Sequence, residues 1–439
     1  MRQTKFILKS EVEKGQILMY NTFTTSLTLL EKRIYEEIFI EKNYSRIEIV
    51  NELKEMGFFI EDDFDEDSNL TFIRKSAIDS AKHITTITVA PTMACNARCF
   101  YCFEKGAEPK TMNDKIIENT IEYIYNNSNK ETIDVSWFGG EPLLRFDIII
   151  KMIEELQNKG LEVRSMLTTN GLLFTDDIIH YISQKTFHYV QITVDEIGEN
   201  FNQIRNFVTN HNNPFEIVMG NIQKLLDVGI KTHLRINFRE KEFSRAKEIF
   251  AYLLDKFPGH DGTSLFVYMS PLVLEDNMNE MYYDCNSCVT HPFYELIKFQ
   301  QENDHPVNRE YYISKDSENR DLRDLMLFPI PASCGSLSDG HYSIDADGYL
   351  YKCHRFLGKK EYACGNVNVG YVETDIVKFF KKYELDDESC KVCNIMPLCH
   401  GGCKAIKYEK GLKKRCNPVK KAYPYLLKFL YNNLINENV

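Results

Sequence analysis

The sequence predicts an α/β protein whose central part is a partial (β/α)6 TIM-like barrel. Between residues 83 and 270, six strand-like runs alternate with amphipathic helical patterns, which favours a parallel sheet with crossover helices. Six such units are too few for a closed eight-stranded barrel. A small strand–helix–helix–strand segment precedes this region and a cysteine-rich segment follows it, so we expect a separate domain on each side.

The composition is that of a globular protein with metal or redox chemistry. The chain has 439 residues, a hydrophobic content of 43% and a formal net charge of −11, and this charge disfavours a nucleic-acid partner. It shows no secretory signal and no apolar run long enough to cross a membrane, so we expect a cytoplasmic protein with no membrane partner. In a reducing compartment, 13 cysteines indicate metal binding rather than disulfides.

Residues 1–82 are predicted to form a small N-terminal domain. Strand-like runs at Lys5–Leu8 and Gln16–Thr28 precede two amphipathic helices and a short apolar run. This order is typical of a winged-helix-like module. The acidic stretch Glu61–Asp67 then reads as a solvated turn, which argues against DNA as a partner.

The predicted barrel occupies residues 83–270. Its functional groups should lie at the C-terminal ends of the strands. The candidate strands are His83–Pro91, Ile133–Phe138, Leu161–Thr168, Tyr189–Val194, Lys231–Phe238 and Ser264–Met269.

Three further segments follow the barrel. Residues 271–332 form a bridging region with weak periodicity. Residues 333–417 hold eight of the 13 cysteines, so metal should supply much of the folding free energy of this domain. Residues 418–439 are expected to form a closing helix.

A CxxxCxxC triplet, Cys95, Cys99 and Cys102, directly follows the first barrel strand. Three thiolates leave one iron of a [4Fe–4S] cluster without a protein ligand, and a small chelating molecule can bind there. The alternatives are part of a zinc site or three buried thiols.

The C-terminal domain carries a second cysteine pattern. Thirteen residues separate Cys334 from Gly348, and four separate Gly348 from Cys353. A CxxCx5Cx3C motif and a final cysteine come later. These later residues are Cys390, Cys393, Cys399, Cys403 and Cys416.

On these two cysteine patterns, the chain resembles the radical S-adenosylmethionine (radical SAM) enzymes that have a C-terminal iron–sulfur SPASM domain. The resemblance covers nearly the whole chain. It implies that the N-terminal winged-helix-like domain binds the leader of a ribosomally synthesised precursor peptide. It also implies three [4Fe–4S] clusters, one that binds S-adenosyl-L-methionine and two auxiliary ones, and an electron donor such as flavodoxin or ferredoxin.

The resemblance further implies a set of S-adenosylmethionine contacts at the strand ends. Tyr101 corresponds to an adenine contact, Glu141 to the group that holds the amino group, and Arg205 to the partner of the carboxylate. Short polar side chains after the third strand suit ribose hydroxyls, and the arginine of the fifth strand either lines the sugar or substrate wall or lies at the surface. The full set is Tyr101, Gly139, Gly140, Glu141, Thr169, Asn170, Thr193, Arg205 and Arg235.

The auxiliary ligands are also assigned by resemblance. The second auxiliary cluster takes Cys390, Cys393, Cys399 and Cys416, and the first takes Cys334, Cys353 and Cys403. The first cluster lacks an obvious fourth ligand, because Phe328 stands where sulfatase maturases have a cysteine. We favour Cys364 for this role. The alternatives are Cys285, Cys288 or an open site that binds a substrate thiolate.

The predicted function is modification of a precursor peptide by a radical SAM oxidoreductase. The product is a thioether or a C–C or C–O side-chain cross-link, and His354, next to Cys353, is the candidate catalytic base. One alternative is a sulfatase-maturase-like oxidation to formylglycine. Another, from a different class, is a zinc-binding scaffold or regulator.

Overall fold

The computed structural model describes residues 1–208, 212–260, 264–272, 299, 334–382, 388–399, 401–412, 423, 424, 426–428 and 431. The chain divides into two compact units. The first unit includes Met1–Ala77 and Tyr383–Val439, and the second combines Ile78–Leu274 with Cys334–Lys382. Each unit therefore joins segments that are far apart in the sequence.

The first unit begins with a three-stranded antiparallel sheet. Strands β2, β3 and β4 pair in that order, β1 pairs with β5, and a π-helical turn at Glu36–Ile40 continues α1. The elements are β1 (Arg2–Gln3), β2 (Ile7–Val12), β3 (Gln16–Asn21), β4 (Leu27–Glu31), α1 (Lys32–Tyr35), α2 (Ile47–Glu55), β5 (Phe59–Ile60) and α3 (Glu66–Asp79).

The central strand β3 is buried on both faces, because successive side chains of a strand point in opposite directions. On one face, Met19 packs with Leu53 of α2 in a core of the N-terminal helices. On the other face, Tyr20 packs with Leu398 and Tyr423 from the C-terminal part of the chain. The N-terminal sheet and the C-terminal segment therefore share a core.

The acidic stretch that follows β5 is not wholly a solvated turn. Helix α3 begins at Glu66, whose side chain is buried. Its carboxylate accepts a hydrogen bond from Thr4 Oγ1 and pairs with Arg2 at 2.7 Å. The prediction is wrong for Glu66 because donors from the start of the chain, invisible to a local pattern, surround it.

The second unit contains the predicted alternation of strands and helices. Strands β6 to β11 are parallel and lie side by side in chain order. The elements are β6 (Thr86–Val89), α4 (Asp114–Asn127), β7 (Thr132–Trp137), α5 (Phe146–Asn158), β8 (Glu162–Thr169), α6 (Asp176–Ser183), β9 (Phe187–Thr193), α7 (Glu199–Arg205), α8 (Pro214–Asp227), β10 (Thr232–Phe238), α9 (Phe243–Lys256) and β11 (Leu265–Pro271). The predicted α/β class with a parallel sheet is confirmed.

Two strands from the cysteine-rich segment extend this sheet. Strand β12 (His341–Ile344) pairs in parallel with β6, and β13 (Leu350–Tyr351) pairs antiparallel with β12. The result is an eight-stranded, mostly parallel sheet. The winged-helix-like and SPASM assignments stay predictions.

Short elements complete the two units. The second unit has β14 (Gly365–Asn366), β15 (Gly370–Tyr371) and α10 (Asp375–Lys381), and the first has α11 (Glu388–Lys391), α12 (Met396–Cys399) and α13 (Lys404–Lys410). In the part of the chain that the structure describes, no helix is long and apolar enough to cross a membrane.

Candidate functional site

The cysteine triplet lies on the loop between β6 and α4, residues 90–113, which we call the cluster loop. Cys95 and Cys99 are half-buried and Cys102 is exposed. The backbone N–H of Ala97 donates a hydrogen bond of 3.4 Å to Cys95 Sγ. Burial raises the pKa of Cys95 to about 12, so this thiol must lose a proton when it binds a metal.

The two glycines after β7 pack directly on the cluster loop. Gly140 N donates to the Thr92 carbonyl at 3.1 Å. A Cβ on Gly140 would lie 2.3 Å from the carbonyl oxygen of Ala94, and one on Gly139 would lie 2.5 Å from that of Thr92. Any other residue would push the loops apart, so the glycines fix the position of the cluster loop.

Glu141 joins this glycine turn to the end of β8. Its Oε1 accepts hydrogen bonds from Leu143 N at 3.0 Å and Thr169 Oγ1 at 2.7 Å, and its Oε2 accepts one from Asn170 N at 2.8 Å. Burial raises the pKa of this carboxyl, while the three hydrogen bonds favour its charged form. Because a carboxylate oxygen can accept two hydrogen bonds, Oε2 retains capacity for a ligand amino group.

Asn96, a residue that sequence reasoning missed, connects the cluster loop to Asn170. Its Oδ1 accepts a hydrogen bond of 2.7 Å from Asn170 Nδ2, and its side chain is buried. Its own Nδ2 is buried with no hydrogen-bond partner among the described atoms. A polar residue directly after the first motif cysteine is the only local signal for this role.

A buried polar chain joins the cluster loop to β9 and α7. Tyr101 Oη donates to Asp195 Oδ2, and the same oxygen lies 3.1 Å from Arg205 Nη2. Asp195 Oδ1 accepts from Asn237 N at 2.9 Å. Burial opposes the charge of Arg205, but Tyr101, Asp195 and Cys99 outweigh it and raise the pKa of Arg205. Sequence reasoning assigned no role to Asp195, which is the centre of this chain.

Arg205 also contacts the cluster loop. Its Nη1 lies 3.6 Å from Cys99 Sγ, and its carbonyl accepts a hydrogen bond of 2.9 Å from Arg98 N. Its Nη2 donates to the carbonyl oxygen of Thr193. The Arg205 side chain therefore already has a carboxylate partner, Asp195, within the protein.

Arg235 and His354 lie in the same unit. Arg235 Nη2 donates to Ser270 Oγ at 2.9 Å, while its Nε is buried without a partner among the described atoms. The His354 ring centroid lies 5.2 Å from that of Phe138. Desolvation by the surrounding protein and the charges of Arg235 and Arg355 lower the pKa of His354 to about 4, although the accessible surface of His354 is that of an exposed residue. Its imidazole is therefore neutral at pH 7.

The cysteines beyond the barrel belong to both units. In the second unit, Cys334 is exposed, Cys353 is half-buried, and Cys364 is fully buried with its thiol donating to the Leu350 carbonyl at 3.3 Å. The cysteines described in the first unit are Cys390, Cys393, Cys399 and Cys403. Cys285, Cys288, Phe328 and Cys416 lie outside the described residues.

The donor set of the cluster loop is compatible with a [4Fe–4S] cluster. Three thiols lie on one loop. This loop packs against two glycines, and a Cβ at either position would clash with its backbone. A buried guanidinium lies beside Cys99. In the described ranges, no three potential ligands are as close together as a single metal ion requires. Ligands of a four-iron cluster bind different iron atoms, so they need not meet at one point.

Residues 89–253 match the family model of the radical SAM superfamily. The radical SAM cyclopropyl synthase TigE of Paramaledivibacter caminithermalis is 30% identical to this chain over 205 residues, which are 41% of this chain and 43% of TigE. The chain thus matches less than half the length of TigE.

Among the solved structures that share the fold are two with a bound peptide. One is anSMEcpe, a sulfatase maturase, with bound AdoMet and the Cp18Cys peptide, at 19% identity, a TM-score of 0.59, and coverage of 81% of this chain and 100% of that one. The other is Streptococcus suis SuiB bound to its precursor peptide SuiA, at 14% identity, a TM-score of 0.53, and coverage of 94% and 97%. The matched segment includes the cluster loop, the glycine turn and Arg205. We therefore identify residues 89–253 as a radical SAM domain; enzymes of this superfamily bind a [4Fe–4S] cluster and S-adenosylmethionine.

Proposed function

We propose that the chain modifies a ribosomally synthesised precursor peptide and forms a thioether or a C–C or C–O side-chain cross-link. The observation that carries the proposal is the extent of the likeness to SuiB, a protein crystallised with its precursor peptide: it covers 94% of this chain, well beyond residues 89–253. The three-stranded sheet of the first unit has edge strands, which suit recruitment of a leader by backbone pairing.

The cluster loop is the proposed site of radical formation. Cys95, Cys99 and Cys102 would hold the cluster, and Glu141 Oε2 would accept the amino group of S-adenosylmethionine. A bound cluster and S-adenosylmethionine would together supply the radical chemistry that removes a hydrogen atom from the peptide. The buried chain from Tyr101 to Arg205 holds the cluster loop against β9 and keeps this geometry rigid.

The residues beyond the barrel are proposed to complete the reaction. Formation of a cross-link removes two hydrogens from the peptide: one leaves as an atom, and the other leaves as a proton and an electron. His354, neutral and beside Cys353, is the proposed acceptor of the proton. Two auxiliary clusters, held by the cysteines assigned above, would provide an acceptor for the electron. A flavodoxin or ferredoxin is the proposed electron donor of the enzyme.

The fourth ligand of the first auxiliary cluster has its own test. If Cys364 is that ligand, a Cys364→Ala variant reconstituted without oxygen should lose iron and show an altered auxiliary-cluster signal. If iron content and spectrum match the parent, the buried Cys364 thiol has a packing role only. An open site that binds a substrate thiolate then becomes the better explanation.

The proposed function is tested with the full-length protein and synthetic candidate precursor peptides, chosen from any short reading frames beside its gene. Anaerobic reconstitution should give a brown protein, whereas a colourless one would support a zinc scaffold. Incubation with S-adenosylmethionine and a reductant should yield peptide that has lost two hydrogens per cross-link, with fragmentation blocked between the joined residues. An aldehyde that reacts with hydrazides would instead indicate formylglycine formation, the activity that the likeness to anSMEcpe favours.

A further inference from the structure

A buried arginine, Arg74, lies beside the predicted ligands of the second auxiliary cluster. It is on α3, and its side chain is 4% exposed. One turn earlier on the same helix, Leu70 packs in a small core with Cys390 and Met396, against which Cys393 also packs. An N-terminal helix therefore forms part of the wall around this cysteine segment.

Arg74 contacts the segment directly. Its Nη2 donates a buried hydrogen bond of 2.7 Å to the carbonyl oxygen of Met396, which lies between Cys393 and Cys399 in the chain. Its Nε is buried and has no hydrogen-bond partner among the described atoms. Within the described residues, the guanidinium is thus only partly hydrogen-bonded, which is costly for a permanent charge.

Among the described residues, the acidic groups that act on Arg74 are two cysteines and one aspartate. Burial disfavours its charge, and this penalty is opposed first by Cys399, then by Asp67 and Cys390. Asp67 is already paired with Lys5 at 2.6 Å. A charge at this place is best compensated when Cys390 and Cys399 are thiolates, which is their state in a metal cluster.

We propose that Arg74 is a positioning residue for the second auxiliary cluster, compensating the negative charge of its thiolates and fixing the turn at Met396. This inference rests on the proposed function, which places a cluster on these cysteines. A cluster with thiolate ligands is negatively charged and becomes more so when reduced. A neighbouring cation therefore stabilises the reduced state and raises the reduction potential. Arg74 thereby links the N-terminal domain to the redox chemistry.

The test uses full-length protein in which Cys95, Cys99, Cys102, Cys334 and Cys353 are replaced by Ala, so that only the second auxiliary site remains. Arg74→Met, Arg74→Lys and, as a control, the exposed neighbour Lys75→Met are introduced into this parent. After anaerobic reconstitution, iron per chain and the midpoint potential of the cluster are measured. Arg74→Met should shift the potential to more negative values, Arg74→Lys should shift it less, and Lys75→Met should match the parent.

An unchanged potential in Arg74→Met would overturn the proposal. If Arg74→Met binds no cluster, Arg74→Lys decides: recovered iron supports a role for the charge, and loss of iron in both variants overturns it in favour of packing alone. A parent that binds no iron would refute the cluster itself and the inference with it. A parent with a cluster that is indifferent to Arg74 refutes only the inference.

Discussion

The structure describes two cysteine segments, the cluster loop and residues 390–399, and different parts of the chain hold each of them in place. The cluster loop is fixed by groups of its own β/α region, such as Gly140 and Arg205. The Cys390–Cys399 segment is fixed by the start of the chain: Thr22 Oγ1 donates to the carbonyl oxygen of Asn394, 372 residues away, at 2.6 Å. Asn394 Nδ2 donates in turn to the Ile7 carbonyl at 2.9 Å.

This difference shows which parts of the molecule can be altered independently. Residues 95–102 of the cluster loop are held by neighbours within the matched radical SAM segment, so their perturbation should affect S-adenosylmethionine chemistry first. The C-terminal segment shares a core with the N-terminal sheet, so a substitution in one should change the stability of the other. The following predictions test this contrast, starting with the largest expected effect.

Replacing Cys95, Cys99 and Cys102 together with Ala should abolish cleavage of S-adenosylmethionine. The cluster whose open iron binds S-adenosylmethionine would then have no protein ligands. We expect 5′-deoxyadenosine, measured by chromatography under reducing anaerobic conditions, to fall to the level of a reaction without enzyme. Iron bound elsewhere should remain, because the cysteines of the first unit are held by a different core. Persistent 5′-deoxyadenosine would refute the assignment of the triplet.

The sequence predicted the cluster loop well because its information is local. The three cysteines and the Gly-Gly-Glu turn each directly follow a recognisable strand. The C-terminal ends of parallel strands lie at the same edge of the sheet, so the two motifs come close together. It did not reveal Asp195 or Asn96, because both are single polar residues whose partners come from distant loops. Nor did it reveal the core shared by Tyr20 and Leu398, since period-two burial of a strand does not say which segment covers each face.

Asp195→Asn tests whether the buried chain holds the cluster loop. The substitution leaves the Arg205 charge without its carboxylate at a fully buried site, which typically costs about 3–5 kcal/mol. Tyr101→Phe is the matched lesser change, because Asp195 keeps its contacts with the Arg205 side chain and the Asn237 N–H. We expect it to lower the free energy of unfolding by about 0.5–1.5 kcal/mol. Chemical unfolding of the second unit, followed by the fluorescence of Trp137, measures both. Equal losses would mean that Asp195 is not the centre of the chain.

Leu398→Ala tests the shared core of the first unit. Leu398 is 2% exposed, so the cavity should cost about 2–5 kcal/mol. The effect should appear as faster hydrogen exchange in β3, although the two sites are far apart in sequence. Val392→Ala is the control, because Val392 is 74% exposed on the same segment and its truncation should leave exchange unchanged. Unchanged protection of β3 in Leu398→Ala would show that the shared core contributes little stability.

Gly140→Ala tests the close packing of the glycine turn against the cluster loop. We expect a smaller loss of stability than for the preceding substitutions, because the loop can shift. The new Cβ would lie 2.3 Å from the Ala94 carbonyl oxygen, so one backbone must move, at a typical cost of about 1–3 kcal/mol. Gly220→Ala in α8 is the matched control: its Cβ would meet nothing within 4 Å, and the helix should gain up to about 1 kcal/mol. Melting temperature and S-adenosylmethionine affinity should both fall in Gly140→Ala, whereas Gly220→Ala should melt at the same temperature or higher and bind normally. If the two variants behave alike, the close approach of the glycine turn to the cluster loop is not what positions the three cysteines.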